Sequence, residues 1–195
     1  MEIPQFTHLH VHSQYSLLDG KATIPELVDK AIADGMKGLA LTDHGNMFGI
    51  KEFFNYVEKK NSGKDDADKF KPILGCEMYV ARDKMTDRKD KSDNGYHLIV
   101  LAKNNKGYHN LVKLVSKAWT EGYYYKPRTD RSELAAHHEG LIVCSACLGG
   151  EVPQFLMHDE IEQAEERVRW YKETFGDDYY LELQRHQTFT PNANR

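Results

Sequence analysis

His8, His10 and His12 occupy every second position of residues 6–12, a stretch that alternates apolar and polar side chains and reads as a strand. Side chains two apart on a strand share a face and lie about 6.6 Å apart along it. Imidazole is the commonest side-chain ligand of transition metals. Three at strict period two point to one metal ion or to neighbouring ions, ahead of one packed histidine and two edge decorations. The protein carries ten histidines in 195 residues, so their placement decides the reading.

Other residues with ligand chemistry follow at strand ends. The apolar run 39–42 leads into Asp43-His44-Gly45, and α/β folds place active sites just past the carboxyl ends of such strands. His44 is a ligand candidate. Asp43 is a second ligand, a carboxylate that orients an imidazole, or a cap for the following helix. Glu77 interrupts the apolar stretch 72–81. An unpaired carboxylate there is costly unless a cation lies beside it or the residue faces solvent from an edge strand.

His97 opens the strand 97–102 instead of ending it. An antiparallel hairpin of 72–81 with 96–102 would bring it opposite the Glu77 strand. Cys144-x-x-Cys147 follows the apolar run Leu141-Ile142-Val143, with no second pair to complete a zinc knuckle. Gly149-Gly150 follows where a redox motif would start a helix, so Cys147 reads as a soft ligand near the loop and Cys144 as core. Tyr123-Tyr124-Tyr125-Lys126-Pro127-Arg128 either stacks bases and touches phosphates through Lys126 and Arg128 or packs as a surface loop. His109, His137, His138, His158 and His186 sit in helical or polar contexts and read as solvent-facing or packing residues.

The elements that must carry these residues alternate. Helices are expected at 23–33, 47–60, 105–118, 131–137 and 159–175, with strands at 39–42, 72–81, 97–102, 141–144 and 179–183. Thr23 and Pro25 suit a cap and first turn. Alternation of this kind argues for an α/β domain. Residues 82–94 hold nine charged side chains among thirteen and are expected to form an exposed, mobile connection. Residues 184–195 close no element, which reads as a C-terminal truncation. Apolar residues make up 40% and charged residues 29%, ordinary for a globular domain. No signal segment is legible at the N-terminus and no run is long enough for a membrane, so the expected location is cytoplasmic. The net charge of −4 excludes a domain that holds nucleic acid by a basic surface alone. Positive charge for a phosphate substrate would have to come from metal ions or a partner domain.

Taken in order, His10-Val11-His12-Ser13-Gln14-Tyr15-Ser16-Leu17-Leu18-Asp19-Gly20, Leu41-Thr42-Asp43-His44-Gly45-Asn46, Gly75-Cys76-Glu77, the stretch from His97 through Lys106-Gly107-Tyr108, Tyr125-Lys126-Pro127-Arg128, Cys147-Leu148-Gly149-Gly150-Glu151 and Leu181-Glu182-Leu183-Gln184 resemble the polymerase-and-histidinol-phosphatase (PHP) family. The variant is that of the bacterial DNA polymerase III alpha subunit, and the resemblance spans essentially residues 1–195. It implies a distorted (βα)7 TIM-like barrel, the PHP fold, with its last elements missing here, and a three-metal cluster at one mouth. By that resemblance His10, His12 and Glu77 serve one metal; Glu77, bridging, His97 and Cys147 a second; Asp19 and His44 a third. His8 precedes the ligand pair and drops out, and a later Asp-x-His pair lies beyond Arg195.

The implied activity is a metal-dependent phosphoesterase, a 3′–5′ exonuclease that proofreads, with His10, His12, Glu77 and His97 in catalysis. Two to three divalent ions are expected, zinc first and manganese second. Partners would be a DNA 3′ end, the downstream polymerase domains, where polymerisation resides, and other replicase subunits, with no membrane. The rivals are a metal-stabilised structural domain and a free-standing histidinol-phosphatase-like enzyme.

Overall fold

The computed structural model describes residues 6–184; His186 and the rest of 185–195 lie outside them. Six helices and seven strands alternate along the described chain: α1 (Ile24–Ala33), β1 (Gly38–Leu41), α2 (Ile50–Asn61), β2 (Lys71–Val80), β3 (Tyr96–Ala102), α3 (Asn105–Thr120), β4 (Tyr123–Tyr124), β5 (Lys126–Thr129), α4 (Arg131–Ala136), β6 (Leu141–Cys144), α5 (Glu151–Met157), α6 (Ile161–Phe175) and β7 (Tyr179–Tyr180). Local chemistry explains several boundaries. The Thr23 hydroxyl accepts from Glu26 N while the Glu26 carboxylate accepts from Thr23 N, a reciprocal capping box with Pro25 in the first turn. The side chains of Asn104 and Asp130 cap α3 and α4 by accepting from Gly107 N and Glu133 N.

The strands form one mixed sheet in the order β4-β5-β2-β3-β6-β7, with β1 also paired to β2. β1 takes residues 71–74 of β2 and β5 takes Tyr79 and Val80; β3 pairs along the other edge of β2, antiparallel. Consequently β1, β2, β5, β6 and β7 run one way and β3 runs against them. The expected hairpin of β2 with β3 is formed. Closure into a barrel is not: among the described residues β4 and β7 end the path, and the fold stands as a mixed α/β sheet.

Period-two alternation splits the sheet into two faces. Cys76, Met78 and Val80 of β2 pack with Leu98, Val100, Leu141 and Val143 against α3 and α6. Ile99, Leu101 and Cys144 face the other way, joined by Ala40 and Ala146. A second apolar cluster seats α1 and α2 on Leu39 and Leu41 of β1.

Three sequence expectations differ from the fold. Residues 6–12 bend at positions 9 and 10 and form no regular strand. They run beside β1 instead, with Ala40 N donating to His8 O and Thr42 N to Val11 O, both at 2.9 Å, while Val11 N donates to the Thr42 hydroxyl at 2.8 Å. The bend breaks the period of two, so His8 is exposed and packs edge-on against Phe6. α5, not expected from the sequence, follows Gly150 as its N-cap and carries Pro153 in its first turn.

The third difference concerns residues 82–94 and Arg128 together. Arg128 is fully enclosed. Its guanidinium donates to the Asp93 carboxylate at 2.9 Å and to the carbonyls of Asp93, Met85 and Asp87, and Asp130 accepts from Met85 N at 2.9 Å. The charged connection is therefore pinned at its middle and end, and Arg128 cannot reach a phosphate. Removing one partner of a buried ion pair leaves a charge uncompensated, at a cost of about 3–5 kcal/mol. Arg128→Leu should lower stability by that amount in thermal unfolding and expose 82–94 to trypsin; a loss under about 0.5 kcal/mol would contradict this account.

Candidate metal centre

The direction of the strands explains why the ligand types meet. His44 lies just past the carboxyl end of β1, Cys147 past that of β6 and Glu182 past that of β7, all at one end of the sheet. β3 runs the other way, so His97 belongs to that same end because it comes at the start of its strand. Two isolated bridges carry the pattern on, His44 with Glu77 and His97 with Gly150. Gly149 lets the loop close over the imidazole, since a Cβ there would lie 3.0 Å from the His97 ring.

Glu77 is the hub, with a side chain only 1% exposed. Its Oε2 lies 2.9 Å from His10 Nε2, 2.8 Å from His12 Nε2 and 3.3 Å from His44 Nδ1. Its Oε1 meets His97 Nδ1, which in turn lies 3.5 Å from Cys147 Sγ. Burial alone would raise the Glu77 pKa; His10, His12 and His97 outweigh it and hold the carboxylate well below the usual range. Burial works against protonation of His10 and His97 as well. Glu182 and Glu77 nevertheless raise His10 to about 10, and Cys147 and Glu77 raise His97 to about 9. Cys147 is lowered by His97.

Every imidazole in the cluster except that of His97 has its far nitrogen engaged outside it. His10 Nδ1 bonds Glu182 Oε1 at 2.8 Å, and Gln184 Nε2 donates to the same carboxylate at 2.6 Å. His12 Nδ1 bonds the Ser16 hydroxyl at 2.9 Å, which donates to Asp43 at 2.7 Å. Asp43, 2% exposed, also accepts from Ser13 N and the Ser13 hydroxyl. Asp43 thus takes the orienting role among the three left open above. His44 Nε2 bonds Asp19 Oδ2 at 2.8 Å. Glu182, Ser16 and Tyr79 were not singled out from the sequence. Glu182 partners a residue 172 positions away, and no local spacing could announce that.

The donor set fits a cation. Among the described residues two groups present ligand atoms within 4.8 Å of one another, His10–His12–Glu77 and Glu77–His97–Cys147. The Nε2 atoms of His10 and His12 are 3.2 Å apart, while nitrogens on one tetrahedral zinc, bonded at about 2.0–2.1 Å, stand about 3.3 Å apart. His44 Nδ1, 3.3 Å from Glu77 Oε2, is buried without a hydrogen bond, and orphaned buried polar atoms are rare unless something else satisfies them. Asp19 and His44 form a pair, not a group of three. Of the two cations proposed for nucleic acid, Arg128 is enclosed, whereas Lys126 is exposed with its Nζ 4.9 Å above the Tyr79 ring. That ring lies 5.3 Å from His97 and 6.2 Å from His44. His109, His138 and His158 are exposed and His137 is half-buried.

The PHP domain family profile matches residues 8–186. Curated relatives named DNA polymerase III subunit alpha include those of Borreliella burgdorferi, 48% identical over 184 residues, and Treponema pallidum, 50% identical over 184 residues; each match covers 93% of this chain. The chain spans about 15% of the length of these relatives. A solved structure from Bifidobacterium adolescentis, described as a candidate metal-dependent phosphoesterase, shares 14% identity, with coverage of 88% and 85% of the two chains and a TM-score of 0.48.

Ligand imidazoles must be free of protons, so cation uptake has to expel them. With His10 and His97 raised to about 10 and about 9, both carry protons at pH 7 before a cation binds, and affinity should rise with pH from 7 to 9. Calorimetric titration with zinc in two buffers of different ionisation enthalpy should register about one proton released from each. Uptake without proton release would contradict the assignment.

Proposed function

The chain belongs to the PHP domain family, and from that premise we propose that it is a divalent-metal phosphoesterase domain within a replicative polymerase, removing mispaired nucleotides from a DNA 3′ end. The observation that carries this reading is the convergence of four imidazoles and a thiol on the one buried carboxylate of Glu77. His10, His12 and Glu77 would hold one ion, Glu77, His97 and Cys147 a second, and Asp19 with His44 a third, in a barrel completed by residues past this chain. The mixed nitrogen, oxygen and sulfur donors favour zinc, with manganese second. When bound, such ions supply Lewis acidity, neutralising phosphate oxygens and lowering the pKa of water.

The chain's own residues do the rest. Glu182 and the Ser16–Asp43 pair fix which nitrogen of His10 and His12 faces inward. Tyr79 forms the wall beside His44 and His97, and Lys126 offers a cation to a phosphate arriving there. No described helix is long and apolar enough to cross a membrane. The proposed setting is a cytoplasmic replicase, with downstream domains that polymerise and other replicase subunits as partners.

A structural role is the second reading. Donors from segments far apart in sequence would be cross-linked by bound ions, stabilising the domain with no chemistry. Cleavage separates the two. With zinc or manganese, a form extended past Arg195 should shorten single-stranded DNA from its 3′ end. His10→Ala with His12→Ala should cut the rate at least about 100-fold, the upper end of what losing a group that merely orients a ligand costs. Unchanged cleavage in that variant would remove the metal centre from the reaction. A sharp fall in melting temperature on chelation, with no cleavage under any metal, would leave the structural role.

A further inference from the structure

An exposed aromatic surface adjoins the metal centre and is used by none of the chemistry above. Phe48, Trp119 and Tyr123 are 63%, 41% and 48% exposed, large apolar area for a free surface. Their rings run in series: Phe48 and Trp119 centroids are 5.9 Å apart, and Trp119 and Tyr123 are 5.6 Å apart with planes only 24° from parallel. Trp119 is not free to turn. Its indole N–H donates to Gly45 O at 2.8 Å, one residue past His44. Gly45 itself is tightly placed at φ +61°, where a Cβ would meet Pro127 at 2.6 Å and the Tyr79 ring at 3.0 Å. The series is thus fastened to the rim of the centre through the same turn that delivers His44.

Two exposed cations lie on or against the segments that carry the rim and the rings, in a molecule of net charge −4. Lys126 stands over Tyr79. Arg88, exposed, donates to the carbonyls of Glu121 and Tyr123 at 3.1 Å and 3.3 Å. We propose that Phe48, Trp119 and Tyr123 form a stacking shelf for the bases of a single DNA strand whose end lies at the metal centre. The proposal rests on the phosphoesterase reading for the position of that end. Aromatic faces beside cations take bases of any sequence, since every base has a π-face and each phosphate a charge. A terminus offered for trimming must be accepted whatever its bases, and a shelf without hydrogen-bonding readout allows that.

The protein has two tryptophans, and Trp170 is partly buried against the apolar core. In a Trp170→Phe background Trp119 reports alone. An eight-nucleotide oligothymidine, with chelator present to prevent cleavage, should quench Trp119 fluorescence. An abasic strand of the same length and charge should bind about ten-fold more weakly without quenching. Phe48→Ala and Tyr123→Ala, both at exposed positions, should each weaken oligothymidine binding about ten-fold, with Tyr123→Phe restoring it. Equal binding of the abasic strand, or alanine variants that bind like the parent, would overturn the shelf. So would a Trp119 that DNA fails to quench in the longer polymerase chain, which would assign the rings to a protein contact. Quenching without cleavage under any metal would sink the phosphoesterase reading and leave the shelf standing; cleavage without quenching would do the reverse.

Discussion

Glu77 sits in the middle of β2, 1% exposed, in a strand whose neighbours on the opposite face are apolar core. A buried carboxylate is tolerated only when charge or hydrogen bonds compensate it, and here the compensation comes from histidines on three other segments. The strand ends bring those imidazoles to one place, and each of the four turns a nitrogen toward Glu77 there. Removing the carboxylate would leave His10, His12, His44 and His97 crowded, with ring centroids as close as 4.1 Å between His12 and His44, and with protonated forms repelling one another. The centre is a mutual dependence of one acid and four bases, and this dependence is what a divalent cation can enter, taking over the positive charge that protons otherwise supply.

The sheet makes this arrangement possible through a single reversal. Five strands run in parallel and bring their carboxyl ends to one edge of the domain; β3 alone among the long strands is antiparallel and contributes His97, its second residue, there. Loops after β1, β6 and β7 then need supply only one or two ligands or orienting groups each. The opposite face of the sheet, carrying Leu98, Val100 and Val143 against α3 and α6, gives the rigid backing that such converging side chains require.

Much of this was legible from residues 10–20, 43–46 and 75–77, because ligand chemistry declares itself by residue type at strand ends. Helix α1 was legible from its cap and proline, and the hairpin of β2 with β3 from the odd position of His97. What escaped did so for physical reasons. His8 belongs to a run of period two, but backbone bends at residues 9 and 10 override the alternation. Arg128 sits in an exposed-looking aromatic and basic stretch, and nothing local marks it as the enclosed partner of Asp93. β4 and β5 are too short for a periodic signal, and Glu182 gains meaning only through a contact across nearly the whole chain. Closure of the sheet, expected from family resemblance, is not present among the described strands.

The most direct test of the account is anomalous diffraction from crystals of the protein grown with zinc. The dependence on Glu77 predicts at least two peaks, two of them each about 2.0–2.2 Å from a carboxylate oxygen of Glu77, one also bonded to His10 and His12 and the other to His97 and Cys147. Zinc bound elsewhere on the protein, with no peak within bonding distance of Glu77, would contradict it.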